Sequence, residues 1–171
     1  LATGVIHRLW GAGFKVLVLE CAKPAAIRRQ VALCEAVYQG NAQVEGLTAH
    51  LINSLAEADA VWERGEVPVL VDAAAESVHA FAPDIVIDAI IAKRNLGTSS
   101  TMAPLVIALG PGFSVGADAD VIVETKRGHN LGRIIRSGSA APNRGVPGNI
   151  AGYSKERVLH ARCAGVLHVV H

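Results

Sequence analysis

The densest grouping of reactive side chains is Glu124-Thr125-Lys126-Arg127-Gly128-His129-Asn130-Leu131-Gly132-Arg133, with an acid, three cations, an imidazole and an amide in one short segment. An arginine fork grips a phosphate through two charge-assisted hydrogen bonds, and an imidazole that titrates near neutrality can carry a proton. Lys126, Arg127, His129 and Asn130 are therefore candidate ligand-binding residues, and His129 a candidate catalytic residue; a polar surface turn would have the same composition. A second cluster offers similar chemistry: Asp88, then Lys93-Arg94-Asn95, then the hydroxyl-rich Gly97-Thr98-Ser99-Ser100-Thr101. Lys93, Arg94 and Asn95 are binding candidates there, and Lys93 is the other catalytic candidate. Gly110-Pro111-Gly112-Phe113-Ser114 can bring bare backbone N–H groups close to a ligand through Gly110 and Gly112, or can be an ordinary tight turn. Glu20 is of a different kind, a carboxylate able to accept both hydroxyls of a ribose, or a plain surface acid.

None of these groupings has the spacing of a metal site. His129 has no partner at a recognised interval and the other histidines are scattered, so no metal is expected. Cys21, Cys34 and Cys163 form no CxxC pair, and an odd count closes no disulfide framework, which favours a reducing cytoplasm. Cys21 and Cys34 lack basic neighbours that would lower a thiol pKa and read as small buried hydrophobes. Sixteen Lys and Arg against fifteen Asp and Glu leave a net charge of +1, so no general field draws in nucleic acid or an anionic membrane, and any anion site must be local. With 51% hydrophobic and 18% charged residues over 171 positions, the chain can bury a core and is not disordered. The uncharged stretch from Asn95 to Ala117 is broken by Gly97, Pro104, Gly110, Pro111 and Gly112 and cannot be a continuous membrane helix. No signal-peptide pattern is visible. Leu1 replaces an initiator Met and the last residues form an apolar run, so both ends are expected to be cut from something longer.

The elements that must hold these residues follow from apolar periodicity. Ala2 to Gly13 predicts a helix with Val5, Ile6, Leu9 and Trp10 on one face, and Lys15 to Glu20 a buried parallel strand closed by its acid. That order, helix, Gly turn, strand, acid, resembles the second half of a Rossmann dinucleotide-binding unit, whose Gly-rich turn would precede Leu1. Pro24 to Leu33 predicts a second helix. Ala36-Val37-Tyr38, Gln43-Val44-Glu45 and Thr48 to Ile52 predict short antiparallel strands, and Ser54 with Glu57 the capping box of a helix reaching Arg64. Further strands are expected at Val67–Val71, Asp84–Asp88, Pro104–Leu109 and Asp120–Glu124, an edge strand at Leu131–Arg136, and a short helix near Glu76–Phe81. The fold class is α/β: a Rossmann-like, mainly parallel sheet of about five or six strands with a small β hairpin insertion. Residues 1–136 form this domain, its first strand and Gly-rich turn being expected ahead of Leu1. The Gly, Pro, Asn and Ser-rich stretch after Ser137 marks a linker, so residues 137–171 comprise a loop and the start of a truncated C-terminal β element from Arg157 to His171.

Long blocks carry a wider resemblance: Leu1-Ala2-Thr3-Gly4, Lys23-Pro24 with Ala26-Ile27-Arg28-Arg29, Glu35-Ala36-Val37-Tyr38, Asp88 to Thr98, Gly110-Pro111-Gly112-Phe113, Glu124 to Arg133, and Gly152-Tyr153-Ser154-Lys155-Glu156-Arg157-Val158-Leu159. Together they resemble the YqeB family of selenium-dependent molybdenum hydroxylase system proteins. The resemblance implies an accessory role in maturing hydroxylases of the xanthine dehydrogenase type, with a molybdenum hydroxylase apoenzyme as partner and a Rossmann-like domain. It also implies a Gly-Ala-Gly-Asp turn ahead of Leu1 and a lipoyl-like β domain beyond His171.

Two function classes remain. In one, the protein is a maturation factor that binds a phosphate-bearing small molecule, either a nucleotide or a dinucleotide such as molybdopterin cytosine dinucleotide, and serves a hydroxylase apoenzyme. In the other, it is a dinucleotide-dependent oxidoreductase with its own small substrate. Only His129 and Lys93 offer acid–base chemistry and neither has a supporting partner at a fixed spacing, which favours the first class and leaves open whether the chain is an enzyme at all. Self-association as a homo-oligomer is left open as well.

Overall fold

The computed structural model describes residues 1–166. The helix α1 spans Ala2–Gly11 and ends in the left-handed Gly13, whose φ is 85°. Its buried Ile6 packs with Leu33, Ala36, Leu47, Ala49, Val67 and Val69. The first sheet is built from β1 (Val18–Glu20), β2 (Asn41–Val44), β3 (Leu47–Ile52) and β4 (Val67–Val71), in the order β1-β4-β3-β2. β4 is parallel to both β1 and β3, and β2 runs antiparallel at the outer edge. The expected hairpin is β2–β3, turned by Glu45 and Gly46 with φ of 49° and 84°. Two positive φ values in a two-residue loop match the right-handed twist of the flanking strands.

The helix α3 (Ala58–Glu63) connects β3 to β4 and buries Ala58 and Val61 against Ile52. Glu57 accepts hydrogen bonds from the Asn53 N–H and the Ser54 hydroxyl, both at 3.1 Å; the Ser54 hydroxyl thus points to Glu57 and caps no backbone N–H, so the two residues pair without the reciprocal bonds of the expected capping box. A second sheet follows the short helix α4 (Ser77–Phe81). It comprises β5 (Ile85–Asp88), β6 (Leu105–Leu109), β7 (Val121–Val123) and the edge pair β8 (Ile134–Ile135), in sequential order. β5, β6 and β7 are parallel, and β8 is antiparallel. Val106, Ala108, Phe113, Ala119, Ile122 and Ala140 form its core.

The fold is thus mixed α/β with mostly parallel sheets, compatible with a Rossmann-like arrangement. The strands divide into two four-stranded sheets where one sheet of five or six was expected, because β1 and β5 each have a neighbour on one side only. Two local expectations also change. Pro24 to Leu33 forms no α-helix: Ala32 is extended, two 3-10 turns cover Arg29–Val31 and Leu33–Glu35, and Arg29 forks onto Glu35. An ion pair six residues apart does not fit one helix face, and burying Leu33 outweighs local helix preference. Ala36 to Tyr38 belongs to a short helix, α2 (Ala36–Gln39), stopped by Gly40 at φ 81°. The β propensity of Val37 and Tyr38 yields to the complete burial of Ala36.

The residues cluster into two compact units, Leu1–Ala141 and one beginning at Pro142. In the second, Ile150 and Tyr153 exchange backbone hydrogen bonds, a 3-10 turn covers Lys155–Arg157, and the Arg157 guanidinium donates to the Gly148 carbonyl at 2.7 Å. No strand forms over residues 157–166, and the remainder of the expected β element, residues 167–171, lies outside the described residues.

Candidate functional site

Three loops leave the carboxyl ends of β5, β6 and β7, and a buried acid or a glycine stands at the root of each. Asp88, 6% exposed, accepts the Ile90 N–H at 3.0 Å and the Thr98 hydroxyl at 2.6 Å, so its carboxylate closes the first loop on itself. Asn95 completes that closure. Its carbonyl accepts the Gly97 and Thr98 N–H groups, and its amide donates to the Thr98 carbonyl and to Asp118, all at 2.8 Å. Between these anchors, Ile91 and Lys93 adopt φ of 58° and 66°. The left-handed region is costly for a β-branched residue and persists only where surrounding contacts impose it. The result is that Lys93 and Arg94 are held out in solvent.

The second loop locks the first to the third. A Cβ on Gly110 would stand 2.6 Å from the Thr125 hydroxyl oxygen, and one on Gly112 would lie 2.6 to 2.8 Å from the backbone N, Cα and C of Arg94. Gly112 also has φ of 114°, so both its space and its conformation require glycine. Phe113 is buried, and the Ser114 N–H donates to Asp118 at 2.7 Å. Asp118 therefore joins the second loop to Asn95 of the first.

The third loop rests on Glu124, also 6% exposed. Its carboxylate accepts the Lys126 N–H at 2.7 Å and the Ala141 N–H at 2.8 Å. Burial alone would raise this carboxyl, but the N–H donors of Ala141, Lys126 and Thr125, with the Lys126 charge, outweigh it and hold it below the ordinary glutamate value. The Glu124 backbone pairs with Arg133 and Gly132, at 2.9 and 2.8 Å, closing the loop as a hairpin into β8. Lys126, Arg127, His129 and Asn130 project from it into solvent. The Asn130 carbonyl accepts from Arg133 at 3.2 Å. Among the described residues, the ion pairs Lys15–Asp59, Arg29–Glu35 and Arg64–Glu66 involve none of the cations in these loops.

Of the sequence-predicted residues, Lys93, Arg94, Asn95, Gly110, Gly112, Lys126, Arg127, His129 and Asn130 fall in this interlocked set. Asn95 spends its amide on protein partners, so its part is to position Lys93 and Arg94. Glu20 belongs to the first sheet: its carboxylate accepts the Cys21 N–H at 2.8 Å and its carbonyl accepts the Asp72 N–H at 2.9 Å. None of its hydrogen bonds reaches the three loops. Cys34 is half-buried, and burial first, then the charges of Glu20 and Glu35, raise its thiol pKa, so it stays protonated. Sequence reasoning passed over Asp88, Asp118 and Glu124 as organisers. The signal was present for two of them, since Asp88 and Glu124 each end an apolar run just as Glu20 does.

Fold and site together define a mixed α/β protein with a locally cationic loop set at the carboxyl ends of parallel strands, where open α/β sheets hold ligands. The chain is similar to a protein of Escherichia coli (strain K12) named "Uncharacterized protein YqeB", with 52% identity over 167 residues covering 98% of this chain. That supports the resemblance to YqeB over nearly the whole chain. The chain spans about a third of that relative's length, 31%. No family model matches the chain, and no solved structure matches it. No helix among the described residues is long and apolar enough to cross a membrane.

Proposed function

We propose that the protein is an accessory factor in the maturation of selenium-dependent molybdenum hydroxylases, and that it binds a phosphate-bearing nucleotide or pterin dinucleotide across the β5, β6 and β7 loops. The observation that carries the binding reading is the set of four exposed cations, Lys93, Arg94, Lys126 and Arg127, which form no ion pair among the described residues and lie in loops fastened by Gly110 and Gly112. Although the Lys126 charge is partly answered by the buried Glu124, these cations together create positive potential in a nearly neutral protein where the ligand phosphate would lie. Of the two glycines expected to bring bare N–H groups to a ligand, Gly110 donates to the Val123 carbonyl at 2.9 Å, so Gly112 is the one left to add a backbone donor. The maturation role itself rests on the sequence resemblance. An oxidoreductase would need a proton-transfer pair, and the exposed His129 makes no side-chain hydrogen bond among the described residues, which leaves the accessory role better supported.

Calorimetric titration with dinucleotides, nucleoside triphosphates and the pterin dinucleotide tests the binding. Lys93→Ala with Arg127→Ala should weaken the ligand that binds by about 2 to 4 kcal/mol, from two charge-assisted hydrogen bonds with partial overlap. Unchanged affinity in the double variant would remove these loops from the site. The maturation role is tested separately, by hydroxylase activity and molybdenum content in cells lacking the gene, with the double variant failing to restore them.

A further inference from the structure

We propose that the cleft between the carboxyl ends of α1 and α3 holds an arginine side chain presented by a partner protein, its guanidinium packed on Trp10 and Trp62 and forked onto Asp59 or Glu63. The cleft has a volume of about 310 Å³ and takes in both tryptophans of the chain, with Phe14 beside them. Neither indole is free to turn. The Trp10 N–H donates to the Gly65 carbonyl at 2.8 Å and the Trp62 N–H to the Val16 carbonyl at 2.9 Å, so each ring is tied by its edge before any ligand arrives. The acids come from α3, where Asp59 stands three residues before Trp62 and four before Glu63 and so shares a helix face with both. Glu66 also lines the cleft but is taken by Arg64 at 2.8 Å, whereas Glu63 enters no ion pair among the described residues. Lys15 leads into β1 and Glu66 into β4, which puts the cleft at the amino ends of those strands. The loops of the proposed phosphate site contribute no residue to it.

The chain's own Lys15 shows what the cleft attracts. Its ammonium lies 5.2 Å from the Trp62 ring centre and 3.5 Å from an Asp59 oxygen. A charge-assisted hydrogen bond closes to about 2.8 Å, so this ammonium sits over the ring without closing on the carboxylate. The Lys15 and Asp59 side chains are 70% and 79% exposed, and an ion pair so open to water is weak and yields to a better cation. A guanidinium is the better cation here, because its plane stacks on an indole face while its fork bonds a carboxylate through two N–H groups. Trp10 in the last turn of α1 and Gly13 just beyond it also line the cleft, and the carboxyl end of a helix favours positive charge. The exposure of the cleft selects the source. Phe14 is 52% exposed, so a free guanidinium compound would bury little of itself, whereas a protein that carries the group also covers the apolar surface around it.

Both tryptophans line the cleft, so tryptophan fluorescence reports its occupancy in the 171-residue chain. The probe is a capped pentapeptide of glycine and alanine with arginine at its centre, titrated beside its lysine and citrulline counterparts. The arginine peptide should bind about tenfold more tightly than the citrulline peptide, which keeps the shape without the charge, and about threefold more tightly than the lysine peptide. Asp59→Asn with Glu63→Gln should weaken it about tenfold. Lys15→Ala should strengthen it about threefold by removing the internal competitor, a gain that a merely structural lysine would not give. All three side chains are exposed, so thermal midpoints near that of the parent should accompany these changes. Equal binding of the three peptides, no binding of any, or a Lys15→Ala protein that binds no more tightly would each overturn the proposal. Free arginine binding as tightly as the peptide would also overturn it, since the site would then serve a small molecule and not a protein.

Discussion

Gly112 is the residue on which the loop set turns, because its missing Cβ is the space taken by the Arg94 backbone. Backbone cannot swing aside as the tip of a flexible side chain can, and φ of 114° is closed to alanine. Gly112→Ala should therefore destabilise the protein by more than about 1 kcal/mol in urea unfolding and weaken the binding ligand. Gly4 provides the contrast: it lies inside α1 with open space around it, so Gly4→Ala should stabilise by about 0.5 to 1 kcal/mol. Glu124 governs the acid response at the same scale. Its folded pKa is below its unfolded value, so its contribution is fully present above about 4.5 and is lost as pH falls through the lowered folded value. Glu124→Gln should flatten the loss of stability over that acid range, as read from denaturation midpoints against pH. A profile identical to the parent would show that the carboxylate charge contributes nothing.

Short elements here depend on side chains outside them. α4 has five residues and no cap of its own, and Asp72 replaces one by accepting the Glu76 N–H at 3.1 Å, the Ser77 N–H at 2.7 Å and the Ser77 hydroxyl at 2.6 Å. Burial pushes this carboxyl up, but the Ser77 hydroxyl and the N–H donors of Ser77, Glu76 and Ala75 more than offset it and lower its pKa. Asp72→Ala should cost about 0.5 to 2 kcal/mol, with faster amide exchange confined to α4 and its junction with β4. An unchanged exchange pattern would show that α4 holds without it. The same dependence explains why α2 and the 3-10 turns differ from what local pattern predicts: segments this short carry too little intrinsic preference to resist burial of Leu33 and Ala36.

For the whole molecule, a net charge of +1 gives no long-range attraction for anions, so the phosphate binding proposed at the β5–β7 edge would depend on nearby cations. Affinity should fall between low salt and about 0.15 M ionic strength, where the screening length is about 8 Å, and the Lys93→Ala, Arg127→Ala protein should lose most of that salt dependence. Equal salt slopes in parent and variant would place the phosphate elsewhere. The sequence by itself determined the α/β class, the presence of the β2–β3 hairpin, nearly every strand and the loops that carry the candidate residues. Those features follow from apolar runs, acids at strand ends and Gly turns, which act over a few neighbours. Only the tertiary structure decided that Asn95, Asp88 and Glu124 organise those loops, that Gly112 must yield its Cβ to Arg94, and that Glu20 belongs to a different sheet from the cations. These depend on contacts such as Asn95 with Asp118, 23 positions apart, and Glu124 with Ala141, 17 apart, and on which strand edge meets which. Local periodicity carries no information about such pairings.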